Sequence, residues 1–219
     1  MTRKQSYLVA ALAALGALML IAGTVLHPSG ADPAQAEAAF AEYAADPLWV
    51  TSHLTQLGGV ALMLLSQVLL VEWRAGAGGL ARLSLVGAAA SLSVAAILQA
   101  VDGVALKPMT EAWVAAPEAS RDAALRSAMA VRHIEVGLAA MFGIVGGLTI
   151  LAFAVMHWRM DLPKWLAVLG GLGAVGTFAG GLAMAYTGFS GLSMSINMPA
   201  GIALTLWMLA LAVVLVRRS

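Results

Sequence analysis

Three histidines are the residues of this chain best placed to do chemistry. His27, His53 and His133 each stand at the end of a long apolar run, and Asp102 and Glu135 stand at ends of the same kind. A neutral imidazole is a metal ligand, and its second nitrogen is oriented by a carboxylate or a carbonyl. Two imidazoles on facing helices hold a haem iron from both sides. Three hold zinc and leave the fourth position to water. A carboxylate at such a site, here Asp102 or Glu135, orients a ligand or acts as a base. Cysteine is absent, which removes disulfides, thiolate metal sites and c-type haem attachment.

The elements that must position these residues are apolar. The chain has 219 residues, 61% hydrophobic and 11% charged, with a mean hydropathy of +0.90. A soluble domain carries roughly 25% charged residues. A net charge of +1 excludes a broad nucleic-acid surface. Six runs reach the length of about 20 residues that a bilayer crossing needs. They cover roughly 7–26, 50–71, 80–104, 133–156, 164–187 and 192–216. No ten-residue alternation of a β-barrel is present. The expectation is an all-α, polytopic membrane protein, a single domain over 1–219 with six transmembrane helices. The first run is longer than the core of a signal peptide and reads as a retained anchor.

Charge distribution sets the expected orientation. Arg3, Lys4, Arg74, Arg82, Arg159, Lys164, Arg217 and Arg218 fall on one side, against Lys107, Arg121, Arg126 and Arg132 on the other. Eight against four places both termini in the cytoplasm by the positive-inside rule. The high Ala and Gly content points to a bacterial inner membrane. The segments 28–49 and 105–130 are then outer lids. Asp32-Pro33 marks a helix start, Phe40 and Tyr43 share one face of that lid helix, and Pro117 divides the second lid into two helical pieces.

All the candidate residues gather on the outer side. Gln56 and Gln67 share a stripe with His53 on span 2, and Ser84, Ser91 and Asp102 share one on span 3, so both stripes should face protein. His133 and Glu135 are about 200° apart on a helix and cannot share a face. Arg132 and Glu135, at i,i+3, neutralise each other. The expectation is that His133 points inward, with Arg132 and Glu135 paired at the rim. Glu72 and His157 occupy matching inner positions and are candidates to pair. "VEWR" at 71–74 resembles "MHWR" at 156–159. This weak repeat points to a four-helix core of spans 2–5, with spans 1 and 6 flanking.

Three readings of function stay open at this level. In the first, His53 and His133 ligate a b-type haem, and the protein exchanges electrons with a quinone or a protein partner. In the second, His27, His53 and His133 hold zinc, and Asp102 or Glu135 serves hydrolysis of a lipid-like substrate at the outer face. That inventory is similar to ceramidase-type membrane hydrolases, which hold zinc with His and Asp between helices, but their HxxxH-type spacing is missing here. In the third, the chain is a non-catalytic membrane subunit or a small transporter, with Gln67 and the polar stripes lining its interior.

Overall fold

Runs of Ala, Leu, Val and Gly with almost no charge leave the backbone one way to satisfy itself in a bilayer, by hydrogen bonds within a helix. The computed structural model describes residues 1–74 and 78–219 and is helical throughout, with no strand among those residues. Its seven helices are α1 (Arg3–Leu26), α2 (Ala36–Ala45), α3 (Trp49–Arg74), α4 (Gly79–Val114), α5 (Glu118–Arg159), α6 (Lys164–Thr187) and α7 (Gly191–Arg217). All but α2 are long and apolar enough to cross a membrane, and they contain the six predicted spans.

The six long helices form a ring in chain order. Each packs on the next, from α1 and α3 round to α6 and α7, and α7 closes back on α1. Spans 1 and 6 therefore do more than flank spans 2–5. Val9 and Ala13 of α1 and Trp207, Leu211 and Leu215 of α7 share one buried cluster with Leu70, Phe153 and Leu166. Spans 2 and 4, both members of the expected four-helix core, barely touch. Nor do the repeat partners occupy like environments: Trp73 packs on the core, while Trp158 is exposed.

Glycine sets the closest approaches, as is common where helices pack in lipid. A Cβ on Gly143 of α5 would stand 2.7 Å from the Cα of Gly181 on α6. A Cβ on Gly59 of α3 would stand 2.7 Å from the amide nitrogen of Leu20 on α1. The α6–α7 turn depends on Gly188, whose φ is +63°. Ser190 then starts α7 with a capping box, its hydroxyl accepting from the Ser193 amide.

Two helices outrun a bilayer. With 36 and 42 residues, α4 and α5 are about 54 and 63 Å long at 1.5 Å per residue, against about 30 Å of hydrocarbon. Their overhang forms the second lid, and Pro117 divides it as predicted. Its first piece is continuous with span 3 and its second with span 4. The overhang seats α2, whose Phe40 and Tyr43 are buried with Trp49, Leu106, Trp113 and Ala128. That helix begins at Ala36 rather than at Pro33, because Asp32 closes a turn instead. Its carbonyl accepts from Gln35 N (2.8 Å) and its carboxylate from Ala34 N (2.9 Å). Lys107 reaches across from α4 and donates to the carbonyls of Tyr43, Ala44 and Asp46 at 2.8–2.9 Å. A cation at the C-terminus of α2 meets both its unpaired carbonyls and its dipole.

Candidate functional site

Two polar constellations and one cavity occupy the ring. The first lies at the lid end, where three of the predicted residues meet. His53, 1% exposed, faces Asp102 with Nε2 to Oδ2 at 3.1 Å. Its Nδ1 lies 2.7 Å from the Trp49 carbonyl. A carbonyl only accepts, so Nδ1 carries a proton. One further proton then lies between Nε2 and Asp102, as an ion pair or as a neutral pair.

A local feature of α4 supplies Asp102. Residues Ala100–Leu106 form a π-helix, which inserts backbone into the helix and re-aims its side chains. The next residue is Gly103, where a Cβ would stand 2.5 Å from the Cβ of His53. Only a glycine lets the two helices approach there. Trp49 Nε1 donates to the Asp102 carbonyl at 3.0 Å and ties α3 to the same segment. His27 stacks on this group, its ring centroid 4.9 Å from those of both Trp49 and His53.

Burial and the neighbouring His53 hold the His27 pKa below its ordinary value of 6.5, and the Pro28 carbonyl and Asp102 only partly offset them. Burial likewise raises the Tyr43 pKa, against the opposing influence of Arg132. The His27 shift has a direct consequence. Folded His27 stays neutral where the unfolded chain has begun to bind a proton, so its contribution to stability is lost as pH falls through the histidine range. Acidifying from about pH 7.5 to about 5.5 should loosen the 28–49 lid. Protection from hydrogen exchange there, corrected for the slower intrinsic exchange at lower pH, should fall, and His27→Gln should blunt that loss. An unchanged response in the variant would remove His27 as the cause.

The structure reverses the expected roles on span 4. Arg132 and Glu135 are buried, at 6% and 1% exposure, and His133 is exposed. Arg132 Nη1 donates to both Glu135 oxygens, at 2.9 and 3.2 Å, and Nη2 donates to the Pro33 carbonyl at 3.1 Å. The guanidinium also lies over Phe189, 4.2 Å from the ring centroid, and within 5.7 Å of that of Tyr43. The small face that carries His133 does pack where Gly181 of α6 meets Ala140 and Ile144. But α6 ends at Thr187, so nothing from it covers His133.

The predicted ligand sets are therefore not assembled. His133 meets neither His27 nor His53, and both ring nitrogens of His53 have protein partners. Among the described residues no three His, Asp or Glu side chains converge as a metal ion requires. Asp102 remains beside His53, while Glu135 is engaged by Arg132.

The second constellation was missed in the sequence. His157 pairs with Gln67, Nε2 to Oε1 at 2.8 Å, and not with Glu72. Both are buried, and the His157 ring lies 5.1 Å from that of Trp207. Gln67, deep in an apolar span, was the available signal. Its partner lies 90 residues away, and no local spacing reveals it.

Above this pair, at the centre of the ring, is a cavity of about 310 Å³. All six long helices line it, through Leu20, Gln67, Ser91, Phe142, Thr177 and Trp207 among others. No Asp, Glu, Lys, Arg or His is among its lining residues. Ser91 and Thr177 are internally satisfied, on Thr149 Oγ1 and on the Gly173 carbonyl. No family model, curated protein or solved structure matches the chain.

Proposed function

We propose that the protein is a membrane-embedded binding protein or small carrier that holds a lipid-like small molecule inside its six-helix ring. The observation that carries this reading is the central cavity, lined from every long helix. Its volume is within the range of about 300–1,000 Å³ typical of small-molecule sites. Apolar cavities of this kind exclude water and take up apolar molecules. Gln67 of the Gln67–His157 pair lines one end of the central cavity. Hydrolysis gains no support from the lid-end cluster, because His53 has no free nitrogen with which to accept a proton from water. The eight-to-four distribution of Lys and Arg supports an orientation with both termini in the cytoplasm, and the high Ala and Gly content supports a bacterial inner membrane.

Gly146 supplies the test. It lines the cavity, and a Cβ there meets nothing nearer than Phe142 Cε2 at 3.9 Å. Gly146→Leu should fill the space without parting the helices. Native mass spectrometry of the detergent-purified chain should show a bound small molecule on the unaltered protein. In Gly146→Leu its occupancy should fall about tenfold, the scale of about 1.4 kcal/mol, with thermal stability unchanged. Equal occupancy in both would place the molecule elsewhere and defeat the proposal.

A further inference from the structure

We infer that Asn197 anchors the head of a straight-chain amphiphile in the central cavity, and that this head is neutral and both donates and accepts hydrogen bonds, as a primary amide or an alcohol does. The inference rests on the binding role proposed above and names the chemistry of the ligand.

Asn197 belongs to the face of α7 that looks into the ring. It lines the cavity with Gly201, Leu204 and Met208. At 3.6 residues per turn these four positions fall within about 60° of one line. The Asn197 amide packs on α6 at Gly180, where a Cβ would stand 2.5 Å from Cγ and 2.9 Å from Nδ2. Only a glycine leaves the amide that position. Thr177 and Met184, about one turn to either side of Gly180, also line the cavity. The amide therefore sits between the inward faces of two helices.

Its polar atoms are unspent. Ser195 and Thr205, on the same helix, donate their hydroxyls to the carbonyls of Leu192 and Gly201. The Asn197 side chain has no hydrogen-bond partner among the described residues, and its oxygen and nitrogen retain accessible surface. Trp207 Nε1 and His157 Nδ1 differ in this respect, being sealed in where their two rings meet, centroids 5.1 Å apart. The Gln67 amide is engaged by Met208 and His157. The hydroxyl hydrogens of Ser91 and Thr177 are used inside the protein. Among the described lining residues, Asn197 alone keeps both a donor and an acceptor available to a ligand.

A primary amide offers two hydrogens and a carbonyl oxygen. A head with its own donor and acceptor satisfies both sides of it, a ketone only the donor side, and an alkane neither. The rest of the cavity suits a chain. From Asn197 to Met208 the lining face of α7 runs about 16 Å at 1.5 Å per residue, beside apolar walls that include Phe142 and Leu204. Charge is excluded by the same walls. A carboxylate or phosphate brought here would lose its hydration and meet no cation, since no ionisable side chain is among the lining residues.

The test compares decanamide, 2-undecanone, decane and decanoate with the full chain in lipid nanodiscs. Dissociation constants are referred to the mole fraction of each probe in the bilayer. Decanamide should bind about tenfold tighter than decane, the scale of one or two net hydrogen bonds. The ketone, matched in shape to decanamide but without its N–H, should fall between them. Decanoate, ionised at about pH 8, should show no saturable binding. Asn197→Leu should still bind decane and lose the preference for decanamide. Gly180→Ala keeps the asparagine but displaces its amide, and should reduce that preference too.

Affinity for the ketone or for decane equal to that for decanamide would overturn the head-selective site and leave the binding role standing. Preference for decanoate would overturn it too, as would a preference for decanamide that survives in Asn197→Leu. If none of the four binds saturably, the binding role itself fails. The four-probe comparison on the unaltered protein needs no variant, so a poorly folding Asn197→Leu protein would not shield the inference.

Discussion

Arg132→Met should lower the stability of the folded protein by about 3–5 kcal/mol, the usual cost of removing one partner from a buried ion pair. The reason lies in what remains. Glu135 is 1% exposed, and without the guanidinium its carboxylate has no cation. Three segments lose a shared anchor at once, since the guanidinium also holds the Pro33 carbonyl, Phe189 and Tyr43. The double variant Arg132→Met/Glu135→Leu should recover most of the loss, because apolar replacements of similar volume often substitute for buried ion pairs without penalty. Unfolding in mixed micelles, followed by circular dichroism, would measure both. A double variant as unstable as the sum of the two singles would show that the charges do not depend on each other.

Gly143→Val should cost about 1–3 kcal/mol, while Gly146→Val, three positions on, should cost little. The two glycines lie on the same helix, in nearly the same sequence context. At Gly143 the first added carbon would meet backbone, the Gly181 Cα at 2.7 Å, which cannot swing aside as a side chain can. At Gly146 it would enter the cavity. Thermal melts of the two variants in one detergent would separate these cases. Equal losses would mean that α5 and α6 do not meet as closely as described.

The spans were legible because hydropathy is a local property. Each predicted run falls inside one observed helix, and the polar stripes on α3 and α4 bury His53, Gln67, Ser84 and Ser91 as expected. The orientation of the His133 helix was not legible. The 200° between His133 and Glu135 said that one must turn away, and it could not say which. That choice was made by distant residues: Pro33, Tyr43 and Phe189 receive Arg132, and α6 ends before it can cover His133. The His53–Asp102 contact depends on a π-helical segment, and a 3.6-residue period does not foresee an inserted residue. The Gln67–His157 pair joins residues 90 apart through packing alone.

The order of the helices round the ring has a consequence for assembly during synthesis. Helices α3 to α6 can each dock on a neighbour already made. The ring still has an open side until α7, the last of the six to be synthesised, fits between α6 and α1. The central space comes into being with that single docking. A molecule captured while the seam is open would be enclosed by folding itself.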